Sequence, residues 1–179
     1  MANLLISIDD FKDICGIDKA FDANYLEPMI VQATDTVTEN ILGTALTIKI
    51  RTDYNNDNLT GLYATLYDSD KCSLKKLIAW QTLQLCLPRM LYKIGAETIS
   101  TGDTELVASI SSDELGLLNR NADSTRVLYE NRVKKFLEQN QASIPELQDT
   151  TPEYLKPNLE KSDTSLGMSF GVDNRYQNF

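Results

Sequence analysis

Asp9, Asp10 and Asp13 crowd three carboxylates into one turn of chain, and grouped carboxylates are the raw material of a hard-cation site. A single helical turn converges too few oxygens to cage an ion, and no calcium-loop spacing surrounds these residues. They read instead as acidic charges at a helix start, where the backbone dipole favours them. Asp53-Tyr54-Asn55-Asn56-Asp57-Asn58 carries the donors of a calcium loop but lacks its central glycine and its terminal bidentate glutamate. Cys15, Cys72 and Cys86 are odd in number, far apart and without a CxxC pair, and the chain has no histidine to activate a thiolate or ligate a metal. They read as free thiols buried in apolar helices, as in a reducing cytosol. The glycines at 43, 61, 95, 102 and 116 stand alone, so no phosphate loop is present. No nucleophile, base and orienting group assemble, and no catalytic, cofactor-binding or metal-ligating residue is expected.

The ionic pattern with most content is a segregation of charge. Residues 71–93 hold Lys71, Lys75, Lys76, Arg89 and Lys93 and no acid, whereas 94–118 hold Glu97, Asp103, Glu105, Asp113 and Glu114 and no base. On an unkinked helix Lys71, Lys75, Arg89 and Lys93 fall within about 40° of one another at 100° per residue. Two outcomes follow. The runs are solvated or pair within one chain, or they meet across a subunit boundary or face a partner, where such pairing fixes register more than it adds affinity.

The whole chain has 179 residues and a net charge of −9, with 42% hydrophobic and 24% charged residues. That length fits one domain with room for an appendage, and buries a sizeable core without staples. The acidic balance argues against a dedicated nucleic-acid binder. The N-terminus lacks the positive region of a signal peptide, and no stretch approaches the roughly 18 uncharged apolar residues of a membrane span.

These residues must be positioned by helices. Ser7 is placed to cap a short helix with Ile8, Phe11 and Ile14 on its apolar face and Gly16 at its end. Asn24 and Glu27 stand at capping-box spacing with Pro28 in the first turn. Leu26, Ile30, Ala33, Val37 and Ile41 then recur at helical spacing until Leu42-Gly43. Residues 44–52 alternate like a strand, 53–58 form a loop by composition, and a short helix is expected over 59–67. Residues 71–94 form the most apolar helix, with apolar residues in nearly every direction, so it should be central. Pro88 should kink it, or break it into two near Leu87. A hairpin or loop follows over 98–110. Ser111 and Glu114 then make a capping box for a long helix carrying Leu115, Leu118, Ala122, Tyr129, Val133 and Phe136 to about Gln139.

The expected fold class is therefore mainly α: a small helical bundle with a long C-terminal helix, a minor β-hairpin or loop, and an extended C-terminal arm. The division is a helical domain over 1–148 and an arm over 149–179. The core should include Ile30, Val37, Ile41, Leu77, Trp80, Leu83, Tyr129, Val133 and Phe136. In the arm, Leu166, Met168, Phe170, Val172, Tyr176 and Phe179 are too apolar for a pure linker and too sparse for a core. Residues 166–172 alternate like an edge strand suited to joining another subunit's sheet, the arm being disordered until it does.

Residues 22–46, Asp-Ala-Asn-Tyr-Leu-Glu-Pro-Met-Ile-Val-Gln-Ala-Thr-Asp-Thr-Val-Thr-Glu-Asn-Ile-Leu-Gly-Thr-Ala-Leu, resemble the opening helix of tailed-bacteriophage head–tail connector proteins, with its internal Ala-Thr and closing Leu-Gly. The later order of apolar helix, irregular loop and long helix ending in 129–139, then Ile144-Pro145-Glu146-Leu147, is similar to connectors of Bacteroides-infecting crAss-like phages. The resemblance covers roughly residues 8–148, and its motifs are mostly helix grammar. It implies a non-catalytic neck subunit in the virion, made in the bacterial host cytoplasm. It also implies a closed homo-oligomeric ring of about 12 copies meeting the portal protein and other neck or tail proteins. Double-stranded DNA would pass through its lumen without sequence-specific binding, and no membrane is involved. The C-terminal arm is longer than in compact members, which leaves its partner open. The competing reading is a cytoplasmic helical adaptor or regulatory module with a docking tail.

Overall fold

Ser7 does at the first helix what its position asks. Its hydroxyl accepts from the Asp10 amide at 3.0 Å, Gly16 ends the helix at φ 66°, and Phe11 is fully buried between. The computed structural model describes residues 4–17, 23–100 and 112–148, and in them the chain is mainly helical, with no strand. The elements are α1 (Ile8–Cys15), α2 (Ala23–Val37), a π-helical turn (Thr38–Leu42), α3 (Gly43–Asn55), α4 (Gly61–Tyr67), α5 (Leu74–Ser100) and α6 (Ser112–Gln139). Two 3₁₀ turns, Gln141–Ser143 and Pro145–Leu147, close the described chain.

The stripe Leu26, Ile30, Ala33, Val37 and Ile41 is buried along its whole length. The helix bearing it already includes Ala23, so Asn24 is not its cap and Pro28 lies beyond the first turn. At its far end the backbone widens into the π turn and then swings at Gly43, whose φ 70° and ψ 166° fall in a region essentially closed to residues with a Cβ. The Thr47 hydroxyl donates to the Thr38 carbonyl at 3.2 Å across this corner.

The expected strand over 44–52 is wrong. It is α3, whose Leu46 and Ile50 enter the core one turn apart. The β-branched residues that suggested a strand include Ile48, which is exposed. Burial of two large side chains outweighs the small intrinsic preference of β-branched residues against helix. The helix also takes in Asp53 to Asn55, so the expected loop shrinks to a turn after Asn55, and Lys49 pairs with Asp53 one turn on at 3.0 Å.

α5 is central: α1, α2, α4 and α6 all pack on it. Leu74, Leu77, Ile78 and Ala79 are fully buried, and the helix carries Pro88 within it rather than ending at Leu87. It continues through Thr98–Ser100, so that part of the expected hairpin is helical, and residues 101–110 lie outside the described residues. Trp80 is half-buried and stands apart from the core cluster, which corrects its expected place in it. Leu83, Tyr129 and Phe136 pack against the core's edge, and Ile144 and Leu147 complete it from the last 3₁₀ turns. Tyr63 fastens that end by donating to Glu146 at 2.8 Å, and Tyr67 donates to the Leu5 carbonyl at 2.7 Å. Burial, then the hydrogen bond to Glu146, pushes the Tyr63 phenol up to about 12.

Candidate interaction surface

α5 and α6 form an antiparallel pair whose register is fixed by side chains. Gln84 donates to Asp123 at 3.3 Å, Lys76 Nζ lies 6.0 Å from the centre of the Tyr129 ring, and Lys71 and Cys72 share a groove with Arg132, Phe136 and Gln139. Residues rise along α5 as they fall along α6. The pair therefore has a foot, near 71–76 and 129–139, and a head, where α5 ends and α6 begins.

Along α6 itself runs a ladder of charge. Asp123, Arg126, Glu130 and Lys134 follow one another at three- and four-residue spacing and so share one face of α6. Arg126 reaches Asp123 at 2.9 Å and Glu130 at 2.6 Å, and Lys134 reaches Glu130 at 2.9 Å. Glu130 and Lys134 are each only 6% exposed. Charges so far from water persist because each has a partner; the pairs all lie within α6, and the ladder reaches α5 through Gln84 and Asp123.

At the foot the pattern reverses. Lys71, Lys76, Arg132 and Lys135 meet no carboxylate at ion-pair distance among the described residues, whereas Lys49, Arg51, Lys75, Arg126 and Lys134 all do. Lys76 and Arg132 lie against the Tyr129 ring, the guanidinium at 5.4 Å, and Lys71, Arg132 and Lys135 line a groove of about 320 Å³ beside Cys72 and Phe136. Toward the head Leu117 and Leu118, and nearer the foot Leu128, are about half exposed, and Asp113 and Glu114 stand exposed in the first turn of α6. Leu117 and Leu128, eleven residues apart, are three turns apart on one face. Leu118 was expected in the buried stripe. It faces solvent because the helix's own packing there rests on Ala122 and Val127.

The structure splits the residues that sequence grouped. Lys71 precedes α5 and is exposed, so it does not share a helical face with Lys75. Lys75 is held within the chain, 2.8 Å from Asp10 and 3.9 Å from Asp68. Arg89, Lys93 and Glu97 fall on α5, with their side chains outside what is described. Asp103, Glu105, Leu166, Met168, Phe170, Val172, Tyr176 and Phe179 lie outside the described residues, as do Ser111 and the whole arm. The ladder and the two α6 cations of the foot were missed, although the spacing of Arg126, Glu130 and Lys134 is visible in sequence. Charges at i, i+4 read as a solvated face unless an apolar stripe such as Val133 and Leu137 shares their arc.

The three cysteines are free, with Cys72 and Cys86 buried and Cys15 partly so. Burial pushes the Cys15 and Cys72 thiols up to about 12, and the nearby Arg132 offsets part of this at Cys72, so neither is a thiolate nucleophile near neutral pH. Among the described residues no group of three or more acids and thiols could hold a metal, and no helix is long and apolar enough to cross a membrane.

No curated protein and no solved structure matches the chain. Residues 38–153, from the π turn through α6 and past the last 3₁₀ turn, match a family of unknown function, DUF6712. With that much of its length covered, the chain belongs to the DUF6712 family.

Proposed function

We propose that this protein is a non-catalytic ring subunit of a tailed-phage neck, joining the portal and head to the tail and surrounding the DNA passage in the virion. The observation that carries an assembly role is the exposed face of α6. Leu117, Leu118 and Leu128 stay about half open on a helix whose opposite face is already packed, and such apolar surface gains most when another protein covers it. The resemblance of residues 22–46 and of the helix order to connector proteins supplies the particular assembly. The ring has about 12 copies, and the arm after residue 148 reaches a neighbouring neck or tail protein. Because a basic wall would grip phosphate, acidic or neutral groups face the DNA, in keeping with the net charge of −9.

The test is Leu117→Asp with Leu128→Asp. Both side chains are exposed, so the variant should keep the wild-type helical signal and melting behaviour while losing incorporation into rings imaged on the native particle. Normal incorporation of the double variant would remove α6 from the interface. A particle lacking this chain between portal and tail would overturn the neck reading, and a stable monomer bound to a soluble host protein would favour the adaptor module.

A further inference from the structure

Resting on the assembly reading above, we propose that the basic foot of the α5–α6 pair docks the acidic head of the same pair in a second copy of this chain. The foot is Lys71, Lys76, Arg132 and Lys135; the described acids of the head are Asp113 and Glu114.

The first argument is selective lack of pairing. In a chain of net charge −9, carboxylates are plentiful, and five other cations each find one. The four at the foot gather on one patch and face none among the described residues. Like charges held together repel, and the arrangement is relieved when an anion enters. The second argument is shape. The groove between Lys71, Arg132 and Lys135 is walled by Cys72 and Phe136, so it admits a side chain whose carboxylate meets the cations while its methylenes meet apolar surface. The third is that acids of the matching kind are on the same molecule: Asp113 and Glu114 are exposed in the first turn of α6.

Geometry then decides between one copy and two. Tyr129 and Asp113 sit on one continuous helix, 16 residues apart, which is about 24 Å at 1.5 Å per residue. A rigid helix cannot fold its own head onto its own foot, so the contact joins copies. It joins unlike surfaces, and a contact of that kind repeats head to tail into a closed ring or an open filament. Complementary charge at its ends sets register and speeds encounter.

The experiment compares full-length proteins by sedimentation equilibrium in low and high salt. The wild type should associate, less so as salt screens charge over about 10 Å near 0.1 M. Lys71→Glu with Lys135→Glu changes two exposed residues and should weaken association about tenfold or more. Asp113→Lys with Glu114→Lys should do the same, and mixing the two reversed proteins should restore association between them. In parallel, zero-length carbodiimide coupling of mixed isotope-labelled wild-type copies should link Lys71 or Lys135 of one copy to Asp113 or Glu114 of another, a readout that needs no variant to fold. Unchanged association of the foot variant, absence of rescue on mixing, or absence of those links between copies overturns the proposal. So does loss of duplex-DNA binding by the foot variant with self-association intact, which would assign the patch to phosphate. If Leu117→Asp with Leu128→Asp disrupts assembly while charge reversal does not, the assembly reading stands and the foot–head contact falls. A wild type monomeric even at millimolar concentration overturns the contact and leaves the neck reading to the native particle.

Discussion

The lower body and the upper part of α6 solve the same packing problem with different chemistry. Around the start of α5, Phe11, Leu26, Ile30, Leu46, Ile50, Leu74 and Leu77 are fully buried in one apolar cluster that draws on α1, α2, α3 and α5. Along α6, Ala122 and Val127 are buried beside a ladder of Asp123, Arg126, Glu130 and Lys134, and toward the head Leu117 and Leu118 are open to solvent. The apolar cluster is non-directional, tolerates small shifts and supplies most of the folding free energy. The ladder is directional and fails sharply when one partner is lost. The lower body thus has the makings of a stable platform, and α6 those of an element that satisfies its buried charges along its own length and whose outer face is left for something else.

Substitutions that separate these two regimes have effects of different size and kind. Leu77→Ala removes a fully buried side chain from the platform and should cost about 2–5 kcal/mol in denaturant unfolding, whereas Leu128→Ala on the open face should stay within about 0.5 kcal/mol. Equal costs would show that Leu128 is buried in the free subunit. In the ladder, Glu130→Ala takes a buried partner from Lys134 and from Arg126, which keeps Asp123, and should cost about 1–3 kcal/mol, while replacing Arg126, Glu130 and Lys134 together by apolar residues of similar volume should be neutral or stabilising. If the triple replacement is as damaging as the single one, the ladder contributes net stability beyond satisfying its own charges.

How far the sequence revealed this follows the same division. Where burial is apolar and periodic, as at Leu26 through Ile41 or Leu74 through Ile78, spacing alone identifies both helix and buried face. Residues 44–52 failed because Thr44, Thr47, Ile48 and Ile50 favour extended backbone locally, and only the tertiary position of Leu46 and Ile50 makes a helix worthwhile. Trp80 failed in another way: its apolar bulk suggested the centre of the cluster, but Ala79 occupies that position and the indole lies half-buried at the margin. The candidate site was half legible. The basic run was visible, yet its members part company, Lys75 pairing with Asp10 while Lys71 and Lys76 join Arg132 and Lys135 from a helix more than fifty residues on. Which cations gather is decided by the antiparallel register of α5 and α6, and no linear pattern encodes that.

The smallest effect comes from Lys75, the cation of the basic run that the chain keeps for itself, and pH exposes it. Burial alone would raise the Asp10 carboxyl, but hydrogen bonds from Lys75 and Ser7 and the Lys75 charge together outweigh it and hold the group below its ordinary 3.8. The Lys75 ammonium is 2.8 Å from one carboxylate oxygen and the Ser7 hydroxyl donates to the other at 2.8 Å. A carboxylate whose value is depressed in the folded state adds stability at every pH above 3.8, and that stability fades as pH falls from there through the folded value. Asp10 is 39% exposed, so solvent screens the pair and the contribution at pH 7 should be below about 1 kcal/mol. Asp10→Asn should therefore be slightly less stable than wild type at pH 7, with the gap shrinking at high salt and closing once the pH has fallen past the folded value, where the wild-type carboxyl is also neutral. Urea unfolding of both proteins from pH 7 to pH 2 measures this. A gap that persists unchanged in acid would mean that Asp10 acts through packing or through the Ser7 cap, and that Lys75 is in effect as free as the cations of the foot.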